Sequence, residues 1–529
     1  MRRRPARLTT KLFPSANAMS LEKIKSDRSD KLVRLKEAGI NPYPAKTARG
    51  RILAEQALAK FDEYAPAKKE IILAGRLRLL RLHGGSCFAR LEDASGQIQL
   101  FFKKDVLGEA QYKVFADNFD IGDFVEATGD LFKTQTEEKT LLVKKVRLLS
   151  KALNQLPDKW HGLKDTEERF RRRYLDLLMD EGARSKFKAR GEIIENLRVF
   201  LEDNGFMEVE TPILQTLPGG ALARPFKTHL NALDMDLYLR VAPELYLKRL
   251  LVGGLEKVYE LGRCFRNEGM DKFHNPDFTI LEFYWAYADY EQLMELTEEL
   301  FEFLVPELEI EYQGVKIDLT PPFKRVAMQD MIKEYYDIDI KKAAKEELMK
   351  TLVKVGQKPA DEDMPACKMV DEIFKMVRPK LIQPTFVIDH PLDLSPLAKA
   401  SEDDPSNAAR FQLVVAGTEL INAYSELNDP QEQVSRMKAQ EDYRGDDEIQ
   451  RFDPDFIEAL EYGMPPAAGW GIGVDRLVML LTNAPTMREV ILFPAMREKY
   501  HFAHRGRVGQ QHNEPIHADT PAGGRRHAI

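Results

Sequence analysis

Cysteine, long apolar runs and excess positive charge are all scarce in this sequence, and each scarcity excludes a class of protein. Three cysteines (Cys87, Cys264 and Cys367) in 529 residues cannot build a disulfide framework. None stands in a CxxC or Cys/His spacing that would hold zinc. That usage fits a reducing cytoplasm, the expected location. No apolar run reaches the ~18 residues that a membrane span needs, so no membrane partner is expected. The net charge is −7, so bulk attraction to a phosphate backbone is not advertised and any nucleic-acid partner must be held by local patches. What is present is a globular composition, 43% hydrophobic and 31% charged. The chain is too long for one core, which stops growing near ~250–300 residues, so two or three domains are expected.

The ends differ from the middle. Residues 1–18 carry five basic residues and no acid; they read either as a transit-like presequence or as a disordered extension ahead of a start at Met19. Residues 19–69 read as a helical segment, and residues 499–529, with five of the ten histidines, as a disordered tail. Between 70 and 152, about five short strands with turn punctuation predict a small closed barrel of the oligonucleotide-binding (OB) type. Phe88, Phe101 and Phe102 are either stacking platforms or barrel core, and Arg76, Arg78, Arg81 and Lys103 are candidate phosphate contacts. Residues 153–184 form a linker and a basic helix whose Arg169, Arg171, Arg172 and Arg173 are either an RNA contact or a salt-bridge belt. From 185 to 498 a second domain opens with a helix over Ser185–Asn204 feeding the strand FMEVE, which Thr211-Pro212 stops. Periodicity is β over 225–285 and 410–427, with a helical insertion at about 320–380. Strands and helices do not alternate regularly, so the predicted class is α+β, a five-stranded barrel followed by a mostly antiparallel sheet flanked by helices.

The stretch YELGRCFRNEGMDKFHNPDFTILEFYWAYADY at 259–290 carries the chemistry. Period two puts Glu260, Arg266 and Glu268 together on one strand and Phe278, Ile280, Glu282 and Tyr284 together on the next. Buried charges cost several kcal/mol unless paired, so this face must look into a polar cavity or into solvent.

Arg266-Asn267-Glu268 after a strand, the helix and strand ending at Pro212, and Gly-Ile-Gly-Val-Asp-Arg at 471–476 resemble motifs 2, 1 and 3 of class II aminoacyl-tRNA synthetases. The longer strings PGGALARPF, VAPELYLKRLLVGG, RCFRNEG, HNPDF, LEFYWAYADY, NAYSELNDP and GIGVDRLVMLLTN narrow the resemblance to bacterial-type class II lysyl-tRNA synthetases. It runs from about residue 20 to 498. It implies an OB-fold anticodon-binding domain, a class II catalytic domain, a homodimer through motif 1, and a ligase that joins L-lysine to tRNA(Lys) with ATP and Mg²⁺. Arg266 would bridge the lysine carboxylate and the α-phosphate, and Arg476 would hold the γ-phosphate. His274 would reach the β- and γ-phosphates, Phe278 would stack on adenine, and Glu268 would read its amino group. Such a reaction needs cations positioned over phosphates and no covalent nucleophile.

The resemblance also assigns the amino-acid pocket. Glu426 with Tyr284 takes the ε-ammonium, and Glu244 with the Gly220 carbonyl takes the α-ammonium. Glu282, Asn422 and Tyr424 lie beside them. An ammonium in a closed pocket needs a fixed carboxylate, which favours lysine over aspartate or asparagine as substrate. Where the family's pattern has two glutamates for Mg²⁺, this sequence has Glu419 and Gln412, an amide that can ligate but brings no charge. Glu419 and Asn422 can both face the ligand only if a bulge lies between them. In the barrel, Phe88, Gln99 and Glu138 match positions that contact the central anticodon base. Two alternatives stand beside the ligase: a non-catalytic oligonucleotide-binding protein with a degenerate synthetase domain, which Gln412 would suit, and a paralogue that lysylates a protein, against which the barrel counts.

Overall fold

The computed structural model describes residues 16–157, 165–357, 364–442 and 452–497, in two compact units that divide between residues 164 and 165. The tail expected at 499–529 and residues 1–15 lie outside the described residues. A helix spans Ala16–Glu37 and so begins three residues ahead of Met19.

In the first unit β1 (Ile71–His83), β2 (Ser86–Glu92), β3 (Gln97–Lys103), β4 (Phe124–Lys133) and β5 (Lys139–Ser150) close into a barrel in the order β1-β2-β3-β5-β4. Along β2 and β3 burial alternates strictly. Cys87, Ala89, Leu91, Ile98, Leu100 and Phe102 point into the core. Phe88, Arg90, Gln99 and Phe101 therefore share the outer face, where a one-residue slip of register would bury them. Phe102 stacks on Phe115 with ring centroids 4.0 Å apart, so it belongs to the core. Of the expected phosphate contacts, Arg76 is turned onto the Gly122 carbonyl (3.1 Å) and the Phe124 ring. Arg78 is buried against Glu92. Both hold the barrel together.

The second unit adds β6 (Met207–Glu208), β7 (Leu214–Gln215), β8 (Lys227–Leu230), β9 (Met235–Leu239), β10 (Lys257–Phe265), β11 (Asp277–Ala286), β12 (Glu309–Tyr312), β13 (Val315–Asp318), β14 (Lys324–Ala327), β15 (Thr385–Pro391), β16 (Asn407–Val415), β17 (Thr418–Ser425) and β18 (Ala467–Gly473). Eight of them make one sheet in the order β14-β15-β16-β17-β18-β11-β10-β6. Its five inner pairings are antiparallel and its two outermost are parallel, in keeping with the α+β expectation. One face carries Leu281, Phe283, Trp470 and Ile472, covered by the helices Glu181–Asp203, Tyr290–Leu304 and Val474–Leu481. Phe283 stacks on Trp470 at 4.9 Å, and truncating such a ring costs about 3–5 kcal/mol. The alternate residues face the other way, into the site.

Several local expectations change. The β reading of 225–285 is broken by a helix over Glu244–Val252, entered at Pro243 and closed at Gly253, because its apolar residues also fit a period of 3.6. The strand FMEVE pairs only over Met207–Glu208. Within 320–380, β14 joins the main sheet before the helices Met328–Tyr336, Lys345–Lys354 and Ala366–Val377, which share a core with Val387 and Val414. The arginine run is not one helix, since the chain breaks at Arg172. Arg169 pairs with Asp176, Arg171 with Glu167 and Arg172 with Glu168. Arg173, fully buried, pairs with Asp176 and donates to the carbonyls of Arg488, Ile491 and Leu492. The run is therefore a salt-bridge belt. Among the described residues no helix is long and apolar enough to cross a membrane.

Candidate active site

On its second face the main sheet borders a cavity of about 400 Å³. The register explains who shares it. Tyr284 lies opposite Gly469, Glu282 opposite Gly471 and Ile280 opposite Gly473. On the other side of β18, Tyr424 faces Gly469 and Asn422 faces Gly471. Glycine at alternate positions leaves the central strand bare, so long side chains from both neighbours can lean over it. A Cβ on Gly469 would sit 2.1 Å from Glu426 Oε1 and 2.5 Å from the Tyr284 ring.

The cavity is lined by Gly220, Glu244, Arg266, Glu268, His274, Phe278, Glu282, Tyr284, Glu419, Asn422, Tyr424 and Arg476, twelve of the residues picked from sequence. The required bulge is present: Leu413 pairs with Ile421 but Val414 with Glu419, so Leu420 is the extra residue and Glu419 and Asn422 reach the cavity together. Two predicted residues are not in the lining. Glu426 is 1% exposed, and its Oε1 lies over Gly469 on the side where a Cβ would stand. Gln412, across from Asn422 on the ladder, is buried, and its Oε1 has no hydrogen-bond partner among the described residues. Glu260, expected on the same face as Arg266, is closed off from the cavity. Arg240 lies across Gly262 and pairs with it, and the Thr211 hydroxyl donates to it at 2.6 Å.

One end of the cavity is cationic. The Arg266 guanidinium lies 5.0 Å from the Phe278 ring centroid, and its Nε has no hydrogen-bond partner among the described residues. His274 donates from Nδ1 to Asp271 (2.8 Å), which leaves Nε2 to accept from Arg476 Nη2 at 2.9 Å. Arg476 also donates to the Glu419 carbonyl oxygen at 2.9 Å, and Arg378 to the Glu419 carboxylate at 3.2 Å. Asp475 positions this corner by accepting from Arg190 (2.7 Å) and from the Thr279 backbone (2.8 Å).

The other end is anionic and closed. Glu244, Glu282 and Glu426 are all buried. Burial, reinforced by the neighbouring Glu244, pushes the Glu282 carboxyl up to about 8. Burial raises Glu426 to about 8, against the pull of Lys248. Tyr284 donates to Glu282 (3.3 Å) and Tyr424 to Glu244 (2.7 Å). Burial lifts both phenols well above their usual range, so they act as donors. Cys264, beneath Arg266, is fully buried and pushed up to about 12, which makes it no nucleophile.

Sequence reasoning missed Lys248 and Arg410. Arg410 lines the cavity and donates to Asn422 Oδ1 and Ser395 Oγ, both at 2.8 Å. Its signal was strand parity, two residues from Gln412. On the barrel, Phe88 and Phe101 stack at 4.5 Å. Beside them Arg90 donates to Glu138 at 2.8 Å, Gln99 donates to Glu138 at 3.1 Å, and Thr140 donates to Gln99 at 2.7 Å. The three predicted anticodon residues thus share one outer patch.

A closed OB barrel and a sheet of this order with a cavity polarised from cations to carboxylates define a class II aminoacyl-tRNA synthetase. The family of class II tRNA synthetases (D, K and N) matches residues 165–497, and the OB-fold nucleic acid binding domain matches residues 71–149. The chain is 45% identical to the lysine–tRNA ligase of Thermosipho africanus over 90% of this chain and 96% of that one. It is 47% identical to that of Thermoanaerobacter pseudethanolicus (91% and 98%) and 48% identical to that of Moorella thermoacetica (89% and 97%). The chain belongs to the lysine–tRNA ligase family.

Proposed function

We infer that this protein activates L-lysine with ATP and transfers the lysyl group to the 3′ end of tRNA(Lys). The observation that best supports lysine as substrate is the closed end of the cavity, where three buried carboxylates and two phenols await ammonium groups. In the first step a lysine carboxylate oxygen attacks the α-phosphorus. The new O–P bond forms as the bond to pyrophosphate breaks, and the electron pair leaves with pyrophosphate. In the second step the terminal ribose hydroxyl attacks the lysyl carbonyl, AMP departs, and the hydroxyl proton is released. Arg266 bridges the lysine carboxylate and the α-phosphate, where its planar fork suits two oxyanions as charge grows between them. Arg476 and His274 hold the outer phosphates, Phe278 stacks on adenine, and Glu268 takes the adenine amino group. Glu244 with the Gly220 carbonyl holds the α-ammonium, and Glu426 with Tyr284 holds the ε-ammonium. Glu282, Asn422 and Tyr424 complete the wall.

For Mg²⁺ the donor set is lean. Among the described residues no group of three His, Cys, Asp or Glu side chains could hold a metal. Glu419 brings one carboxylate, and Gln412 brings a buried amide oxygen that has no hydrogen-bond partner among the described residues. That set fits an ion carried largely by phosphates and water, as Mg²⁺ usually is. When bound it would screen phosphate charge, with Glu419 and Gln412 holding it.

Further proposals concern assembly, RNA and location. Val199 and Met207, in the helix and strand that end at Pro212, and Ile213 and Leu214 just past it are exposed, which supports a homodimer through motif 1. Phe88, Gln99 and Glu138 read the central anticodon base by stacking and edge hydrogen bonds. Three cysteines without a disulfide among the described residues suit the cytoplasm. ATP–pyrophosphate exchange with each amino acid in turn, followed by tRNA charging, tests the function. Exchange with lysine and charging of tRNA(Lys) are expected. No exchange with lysine overturns the enzyme, and exchange without charging any tRNA restores the protein-lysylating alternative.

A further inference from the structure

The helix over Glu244–Val252 places Lys248 one turn after Glu244, on the same side. Lys248 is fully buried, and its ammonium donates to Glu244 Oε1 at 2.7 Å and pairs with Glu426 Oε2. Neither Lys248 nor Glu426 is in the lining, and the Lys248 ammonium lies 5.6 Å from the centroid of the Tyr424 ring and 6.0 Å from that of Phe456.

Its placement divides the oxygens. On Glu244, Oε1 is taken by Lys248 and the Tyr424 hydroxyl, whereas Oε2 lies 3.5 Å from where a Cβ on Gly220 would stand, at the cavity wall. On Glu426, Oε2 forms the ion pair with Lys248 and Oε1 lies against Gly469, and neither oxygen has a hydrogen-bond partner among the described residues.

We infer that Lys248 is a resident countercation of the amino-acid pocket, which fixes one oxygen of Glu244 and one of Glu426 and reserves the others for the two ammonium groups of the substrate. This rests on the lysine-ligase reading and adds a positioning residue to it. Without Lys248, Glu426 would face only the like charges of Glu244 and Glu282 and would hold a proton instead of an ammonium. Without Glu426, Lys248 would confront the substrate ammonium directly.

The consequence is a sign reversal, readable in lysine-dependent ATP–pyrophosphate exchange. Lys248→Met alone should raise the KM for lysine at least about tenfold and leave the KM for ATP nearly unchanged. Glu426→Gln should raise it further. Adding Lys248→Met to Glu426→Gln should then lower it again, because the repelling ammonium is gone. If Lys248→Met alone does not fold, comparing Glu426→Gln with the double variant decides the question. A lysine KM for Lys248→Met within about twofold of the parent, a KM below the parent's, or no recovery in the double variant would each overturn the inference; a lower KM would make Lys248 a tethered competitor of substrate. The unmodified protein serves as the first control. If it shows no lysine-dependent exchange the substrate assignment fails, whereas with normal exchange any contrary variant result removes only the role of Lys248.

Discussion

The two ends of the cavity carry opposite charge and manage it differently. At the cationic end His274 is exposed, and Arg266 and Arg378 are only partly buried. At the anionic end Glu244, Glu282 and Glu426 are sealed under two tyrosines and tied in part to an internal ammonium. Phosphates carry several charges, so attraction to clustered cations survives partial solvent and the site can stay open. One ammonium at the tip of an alkyl chain offers a single charge, and it is told from a methyl group only where water is excluded and a carboxylate is fixed in advance.

The largest expected effect lies at the open end. Arg266→Ala removes the group proposed to meet charge that grows in the transition state, so kcat for exchange should fall by about 10²–10³, with little change in the KM for lysine. If the KM moved and kcat did not, Arg266 would belong to ground-state binding and the contrast between the ends would weaken. Phe88→Ala lies outside both ends and acts as a control. With stacking worth ~1–3 kcal/mol per base, charging efficiency should drop about tenfold or more while exchange stays intact. Loss of both would mean that the outer face of the barrel is structural.

pH separates the ends next. Burial holds Glu282 and Glu426 at about 8, above the ordinary carboxylate value. Folding therefore favours their protonated forms, and these groups contribute less stability to the empty protein as pH rises from the unfolded carboxylate value through about 8. Lysine needs the charged forms, so its binding must expel protons at low pH. The rise in Tm given by saturating lysine should grow from about pH 6 to about pH 8; an unchanged rise would mean the carboxylates are already charged. The smallest effect belongs to the metal. Gln412→Glu adds a second charge beside Glu419 and should lower the Mg²⁺ concentration for half-maximal exchange a few-fold; no change would place Gln412 outside the ion's reach.

Much of this contrast was readable beforehand. Period two in β11 put Phe278, Glu282 and Tyr284 on one face, and the conflict in parity between Glu419 and Asn422 announced the bulge at Leu420. Strand parity works because the sheet enforces it locally. What escaped depended on contacts far apart in sequence. The arginines at 169–173 read equally as an RNA contact or a salt-bridge belt, and the burial of Arg173 against the carbonyls of Arg488, Ile491 and Leu492 could not be seen beforehand. Lys248 was not singled out, in a stretch read as β, although Glu-x-x-x-Lys in PELYLK was the available hint. Its burial is decided by Glu426 and Phe456, some two hundred residues away. Glu260 had the right parity and lost the cavity to Arg240.

The central claim is that a dry, pre-paired carboxylate end selects the substrate by its terminal ammonium. Exchange with norleucine, which keeps the alkyl chain and lacks that ammonium, tests it most directly against lysine. The predicted kcat/KM for norleucine is lower by about 10⁴, as expected of a site built to hold a polar group. A ratio within about a hundredfold, the discrimination that a purely apolar pocket gives, would contradict it.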